Sequence, residues 1–458
     1  MRVHRVMLTS STLYVTIGYM EATMNTLETD VVIVGASIAG TTAATLFARA
    51  GLRVTVVERA ASPEAFKRQC THFLQASATP VLEKLGVIDD IEAAGAVKNG
   101  LQVWTKDGGW LRISLDGERD EVGRRHGYTL RREKLDPILR AHATRTAGVT
   151  MKLGASVVSL LEEAGRVVGI EIDEAGARTV IRAQLVVGAD GRRSTVAELA
   201  RMEPEIRPHY RAGFMVYMRN VGMPTGSDAQ FWILGEDICY AFPSDDGLTL
   251  LAHMVHEDRL DDFKKDREGT MRAAFASLDN APDLSRAEIV GGFIGAANTP
   301  NTYRYPTKPG LVLVGDAAMA SDYIWGVGCG FALQGADMLV THAAPALQNR
   351  SAGGVDQALA AYARQHASTL YAQHKTNTAF SASDTLPFLL RAIFTYAPRD
   401  QKLRELVGLS GAGRISQRDL RIPLRLALVM LTSLLTSPLR ALRARTPRPT
   451  LVAAAVSR

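Results

Sequence analysis

One segment near the start constrains the fold more than any other. The run Val31-Val32-Ile33-Val34 passes directly into Gly35-Ala36-Ser37-Ile38-Ala39-Gly40. Four β-branched residues in succession fit a strand buried on both faces, as in a parallel sheet. The small-residue stretch Gly40–Ala50 reads as a helix closed by Gly51. A second apolar run, Arg53–Val57, ends at Glu58. Strand Thr29–Val34, helix and strand make a βαβ unit, and its turn is shaped for a dinucleotide pyrophosphate. Gly35 permits the tight turn. Ser37, standing where a glycine is usual, is small enough to let the backbone approach phosphates, and Gly40 lets the helix pack close to the strand. The helix start at Ile38 and Ala39 offers free N–H groups to an anion. Glu58 stands where a carboxylate accepts ribose hydroxyls, with Arg59 beside it at the edge of the same site.

A second strand-to-turn signal comes late. Leu311-Val312-Leu313-Val314 leads into Gly315-Asp316-Ala317-Ala318, followed by Trp325-Gly326-Val327-Gly328-Cys329-Gly330 at the opening of another helix. Backbone N–H groups of Gly328, Cys329 and Gly330 would face an anion or a ring carbonyl. Between the two signals, Leu185–Val187 leads into Gly188-Ala189-Asp190-Gly191, which by itself reads equally as an ordinary Asp-Gly turn. Two cofactor-type turns far apart in sequence imply one long cofactor bound in extended form, and FAD is the natural candidate.

These three motifs, in this order, resemble the flavoprotein monooxygenases of the para-hydroxybenzoate hydroxylase type, over roughly Thr29 to Phe380. The resemblance implies that the first motif holds the ADP half of FAD. It places Asp190-Gly191 near the cofactor and NAD(P)H, and Asp316 on the ribityl chain. It also implies that an arginine in Arg132-Glu133-Lys134-Leu135 contacts FAD phosphate or ribityl oxygens, with Arg131 as a rival. Met319 stands where that family commonly has His, and Asp322-Tyr323-Ile324-Trp325 where it has Pro. The segment Lys67-Arg68-Gln69-Cys70-Thr71-His72-Phe73 resembles a flavin-edge loop of a divergent branch, with Arg68 and His72 facing flavin or substrate, or else solvated. By the same resemblance NAD(P)H supplies electrons and O2 supplies an oxygen atom to a small-molecule substrate. Reductases of the geranylgeranyl type share this fold and are the alternative. A flavin halogenase is disfavoured because Trp104, Trp110, Trp232 and Trp325 stand singly. A flavin-binding regulator without turnover is a third class.

The expected fold is α/β: a Rossmann-like FAD-binding domain with an inserted antiparallel β-sheet substrate domain and a helical C-terminal extension. Residues 1–28 read as a leader, disordered or upstream of the true start, without the features of a signal peptide. Residues 29–200 and 297–380 read as the two parts of the FAD-binding domain. Period-two alternation in Phe214–Met218, Phe231–Leu234, Cys239–Phe242 and Leu248–Val255 assigns 201–296 to the inserted sheet. Phe214, Met215, Tyr217, Phe231, Trp232 and Tyr240 are its pool of pocket residues.

The 458 residues carry a net charge of +6, but 401–458 hold eleven Lys/Arg against two Asp/Glu, so residues 1–400 carry −3. An acidic body argues against a nucleic-acid-binding face. Within 381–458 the uncharged run Leu426–Leu439 is flanked by Arg421, Arg425, Arg440, Arg443 and Arg445. It is too short to span a bilayer, with Pro438 expected to interrupt the helix. It reads either as a helix docked on the body or a partner, or as a peripheral membrane contact. Cys70, Cys239 and Cys329 form no disulfide framework and have no metal-ligand spacing, which fits a reducing, cytoplasmic setting. Cys329 has no cysteine near it in sequence and reads as a small buried thiol.

Overall fold

A computed structural model describes residues 25–113, 126–235, 237–297, 299–381, 388–411 and 421–443. Its central layer is a parallel sheet in the order Leu311–Leu313, Ala177–Gly188, Asn25–Val34, Val54–Glu58, Val149–Leu153, with Thr307–Lys308 antiparallel at one edge. The first strand begins at Asn25, four residues before the expected start, because Asn25–Glu28 pair with Thr179–Arg182. That part of the expected leader is therefore sheet; residues 1–24 lie outside the described residues. The segments Thr179–Arg182 and Leu185–Val187 form one twelve-residue strand, whose outer half also carries the antiparallel hairpin Ala155–Glu163 and Arg166–Glu174.

Helices Ile38–Arg49, Arg132–Arg145 and Gly328–Gln348 cover one face of this sheet. Val31, Ile33, Val54 and Val56 point into that layer and are at most 1% exposed. Their neighbours Val32, Val34 and Val57 point to the opposite face, which explains why these strands are apolar throughout.

A second sheet of seven strands runs Glu288–Ala296, Arg211–Arg219, Leu248–His256, Ile238–Pro243, Ala229–Ile233, Leu101–Thr105, Gly109–Ile113. The last two strands come from outside the 201–296 segment. Leu101–Thr105 joins the sheet in parallel beside Ala229–Ile233, in register from Ala229 with Leu101 to Ile233 with Thr105. A hairpin lying within the stretch assigned to the dinucleotide domain thus completes the inserted sheet.

Alternation sorts the aromatic pool by face. Met215, Tyr217, Phe231 and Tyr240 pack towards Phe73, Trp325 and Phe380. Phe214 and Trp232 point the other way, onto Phe263, Met271 and Phe275. The C-terminal helices Phe388–Tyr396, Gln401–Gly411 and Arg421–Arg443 close over the first of these faces through Ile393, Phe394, Leu403, Leu406, Ile422 and Leu426. The last helix continues past Pro438 to Arg443.

Candidate active site

Three glycine turns meet where the parallel strands end, the place where open α/β sheets bind ligands. Backbone hydrogen bonds lock them together: Gly35 N–H to Val57 O at 2.8 Å, Ala189 N–H to Val34 O at 2.8 Å, and Val314 N–H to Gly188 O at 2.9 Å. Gly35 has φ +104°, and a side chain there would meet Ala189 O at 2.5 Å. Gly315, at φ +59°, sits so close to the first helix that a Cβ would lie 3.0 Å from Ala39 Cβ. A Cβ on Gly40 would collide with Gly35 O. The fingerprint glycines are thus required by backbone contact between turns.

Helix Ile38–Arg49 has no side-chain cap and no acidic residue in its first turn. The same holds for helix Gly328–Gln348. Both starts keep their N–H groups available to an anion or a carbonyl. Glu58 Oε2 accepts from Ala36 N–H at 2.8 Å, and Oε1 accepts from Ala60 N–H at 2.9 Å. These bonds fix its carboxylate beside the pyrophosphate turn. Arg59 is exposed at that edge.

The structure separates the rival arginines. Arg132 is 3% exposed and binds Asp136 bidentately, Nε to Oδ1 at 2.6 Å and Nη2 to Oδ2 at 2.8 Å. Its Nη2 also donates to Ser37 Oγ at 2.6 Å, and Nη1 lies 4.0 Å from Cys329 Sγ. Burial alone would pull its pKa down; the Asp136 carboxylate outweighs burial and holds the guanidinium charged. Arg131 turns away to the inserted sheet, binding Asp245 through Nε at 2.8 Å and through its N–H at 3.0 Å. Arg132 thus borders the Ser37 turn, while Arg131 ties its helix to Asp245 of the inserted sheet.

Asp316 is met by Lys67 Nζ at 2.7 Å. Burial would raise its pKa, but Lys67 and then Arg192 outweigh this and keep it a carboxylate. Lys67, in the loop after the second strand, thus reaches the cleft at Asp316. Arg68 is exposed. His72 is 4% exposed, with φ +59°. Its Nδ1 contacts Tyr217 OH of the inserted sheet, and its buried Nε2 has no partner among the described residues. Burial lowers its pKa. Asp190 is occupied within its own turn, accepting from Ser194 Oγ at 2.6 Å and Val196 N–H at 3.0 Å, while burial raises its pKa.

Sequence reasoning missed three features here. Lys67 pairs with a residue 249 positions away, and Asp136 orients Arg132 from within the same helix. Cys70 Sγ lies 3.7 Å from Cys329 Sγ, so Cys329 does have a thiol partner. Only Asp136 had a local signal, the i,i+4 spacing from Arg132.

These turns fit an extended dinucleotide in both halves. The pyrophosphate would lie at the open start of helix Ile38–Arg49, with Arg132 adjoining. The ribityl chain would lie at Asp316 and the ring at Gly328–Gly330. The class so defined is that of the FAD-dependent oxidoreductases, since a cofactor without the flavin half would leave the Gly315-Asp316 turn unused. Residues 28–370 match the FAD binding domain family, and the chain belongs to it. A kynurenine 3-monooxygenase of Salinispora arenicola is 29% identical over 332 residues, covering 68% of this chain and 71% of that protein. A digeranylgeranylglycerophospholipid reductase of Methanopyrus kandleri is 26% identical over 329 residues, covering 67% and 78%. Among solved structures, a flavin-dependent brominase superposes with a TM-score of 0.70 at 18% identity, covering 88% of this chain and 98% of that one. A probable FAD-dependent monooxygenase from Pseudomonas aeruginosa gives 0.61 at 21%, covering 84% and 100%. At these identities the superpositions establish the fold alone.

Proposed function

We propose that this enzyme is an NAD(P)H-dependent monooxygenase acting on an apolar or aromatic small molecule. The observation that carries this is the aromatic face between the ring-side turn and the inserted sheet. Trp325, three residues before Gly328, stacks on Phe231 at 5.8 Å with 8° between planes, and packs at a tilt against Phe380 at 5.3 Å. Phe73, from the Lys67–Phe73 loop, stacks on Phe242 at 4.9 Å. Tyr240 OH donates to Ile324 O and binds the sheet to the Asp322–Trp325 turn. A planar, apolar substrate would find edge and face contacts along such an aromatic layer.

When bound, FAD supplies the redox chemistry. The chain's residues supply the rest. N–H groups at Gly328–Gly330 would face the ring, Arg132 would offset phosphate charge, Asp316 would hold the ribityl chain, and the aromatic layer would exclude water. Candidate cofactor contacts remain Gly35, Ser37, Ile38, Ala39, Gly40, Glu58, Arg132, Gly315, Asp316 and Gly328–Gly330.

The test is NADPH oxidation by the purified, flavin-loaded chain against a panel of aromatic amines, phenols and isoprenoid alkenes, in air and without oxygen. Oxygen-dependent product formation from an aromatic compound supports the reading. Turnover of an alkene that continues without oxygen assigns the reductase chemistry instead.

One observation favours a lipophilic substrate and a peripheral membrane contact. Helix Arg421–Arg443 docks through Ile422 and Leu426, while Leu424, Leu428 and Leu431 are 68%, 49% and 55% exposed on its outer side. Phe388 and Leu389, 71% and 51% exposed, are on the helix packed beside it. Among the described residues no helix is long and apolar enough to cross a membrane, so such a contact lies in the interface plane.

A further inference from the structure

We propose that Cys70 and Cys329 form a peroxide-reactive thiol pair that closes to a disulfide across the cofactor cleft. The thiol chemistry stands on geometry alone; its consequence for cofactor exchange rests on the FAD reading above.

The two sulfurs are 3.7 Å apart and belong to elements 259 residues distant in sequence. Each faces the cleft from one side. Cys70 lies in the loop that carries Lys67 to Asp316, and Cys329 is the second residue of the helix opening with Gly328. Closing to a bond of about 2.05 Å asks the sulfurs to approach by about 1.7 Å, within reach of side-chain rotation and a small loop shift. Cys70 is partly exposed and Cys329 is buried, so a small oxidant meets Cys70 first. Cys239 is fully buried on the opposite face of the inserted sheet, among apolar residues.

The surroundings divide the labour between the two thiols. The left-handed backbone at His72 aims its N–H at Cys70 Sγ, at 3.3 Å. The hydrogen bond shared with Cys329, with the nearby Arg132, His72 and Lys67, overcomes burial and lowers the Cys70 pKa well below its ordinary value. The same bond, with burial, raises that of Cys329. Partial exposure and the His72 N–H aimed at its sulfur make Cys70 the thiol that meets the oxidant and attacks, and buried Cys329 the one that resolves.

The oxidant is hydrogen peroxide, which a flavoprotein releases when oxygen is reduced without transfer to substrate. The Cys70 thiolate attacks one peroxide oxygen, the O–O bond breaks and hydroxide leaves, giving a Cys70 sulfenic acid. The Cys329 sulfur then attacks the Cys70 sulfur. The S–O bond breaks, and the hydroxyl leaves as water with the Cys329 proton. Two thiol sulfurs are oxidised and one peroxide is reduced. The resulting bond ties the Lys67–Phe73 loop to the start of helix Gly328–Gln348, the two elements that would flank the flavin half of FAD.

The test treats the full chain with a small excess of hydrogen peroxide, with and without bound FAD. The expected result is a fall from three titratable thiols per chain to one. A mass loss of about two daltons should accompany it, with a Cys70–Cys329 cross-linked peptide and recovery in dithiothreitol. Cys329→Ser should instead leave a Cys70 sulfenic acid that dimedone traps, and Cys239→Ser should cross-link as wild type does. The oxidised chain should exchange bound FAD for a labelled analogue several-fold more slowly than the reduced chain. Three intact thiols, a Cys70 sulfinic acid without cross-link, or a cross-link through Cys239 would overturn the thiol pair. A Cys70–Cys329 bond with unchanged FAD exchange would overturn the staple.

Discussion

Replacing Arg132 by methionine should destabilise the flavin-free protein by about 3–5 kcal/mol, the cost of breaking a buried ion pair from one side. The figure follows from what would be left behind. Asp136 is 1% exposed, and without Arg132 it keeps only Lys67 N–H at 3.1 Å and Ser37 Oγ at 3.4 Å. Two strong charge-assisted bonds, at 2.6 and 2.8 Å, would be lost to a carboxylate that water cannot reach. In equilibrium terms this is about two to three and a half powers of ten. The double variant Arg132→Met, Asp136→Leu separates the two roles of the arginine. Replacing both partners with apolar groups of similar size is close to neutral, so most of the stability should return. FAD affinity should not. It should stay weaker by about 1.5–3 kcal/mol, the value of one hydrogen bond to a charged group. The assays are urea denaturation of flavin-free protein, followed by circular dichroism, and FAD titration by flavin fluorescence. A cost below about 1 kcal/mol, as for an exposed pair, would refute the burial argument. Wild-type FAD affinity in the double variant would remove Arg132 from the cofactor site.

Asp316→Ala should yield protein that has lost most of its flavin absorbance, and Glu58→Ala should weaken FAD by about 1.5–3 kcal/mol; unchanged affinity in equilibrium dialysis would strike the corresponding residue from the site. Asp245 gives a pH prediction. Burial would raise its carboxyl, but hydrogen bonds from Arg131 and Lys134 outweigh burial and lower it from 3.8 to about 2. A carboxyl depressed in the folded state adds stability that is fully present above its unfolded pKa and lost as pH falls through the folded one. Asp245→Asn should therefore cost about 2 kcal/mol at pH 7 and flatten the decline in stability between about pH 4 and 2; an unaltered acid-unfolding curve would contradict it. For the membrane contact, Leu424→Glu with Leu428→Glu should abolish co-sedimentation with anionic liposomes at an unchanged melting temperature. Equal sedimentation by both proteins would leave the helix only its packing role. Point changes serve better than truncation at Asp400, because Leu403, Leu406, Ile422 and Leu426 complete the aromatic core and Asp400 binds Arg425 at 2.6 Å.

Local chemistry made much of this legible in the sequence. A buried strand, a glycine turn and a helix start are each written in consecutive residues, so Gly35–Gly40, Glu58 and Gly315-Asp316 could be placed without coordinates. The hairpin Leu101–Thr105 and Gly109–Ile113 could not, since nothing in its own residues says that its partner is Ala229–Ile233, more than a hundred positions on. Alternation showed that the inserted sheet has two faces. Packing decided that Phe231 and Tyr240 face the ring-side turn while Phe214 and Trp232 face away. The choice between Arg131 and Arg132 likewise needed Asp245 and Ser37 in place. Cys70 beside Cys329 is the limiting case. Each cysteine is unremarkable in its own segment, and only the folding of the Lys67–Phe73 loop onto a helix start 259 residues later sets the two sulfurs 3.7 Å apart. The sequence by itself determined the turns and the carboxylate that define the cofactor class, because those depend on neighbours along the chain. The tertiary structure decided which charges, rings and thiols confront one another, because that depends on neighbours in space.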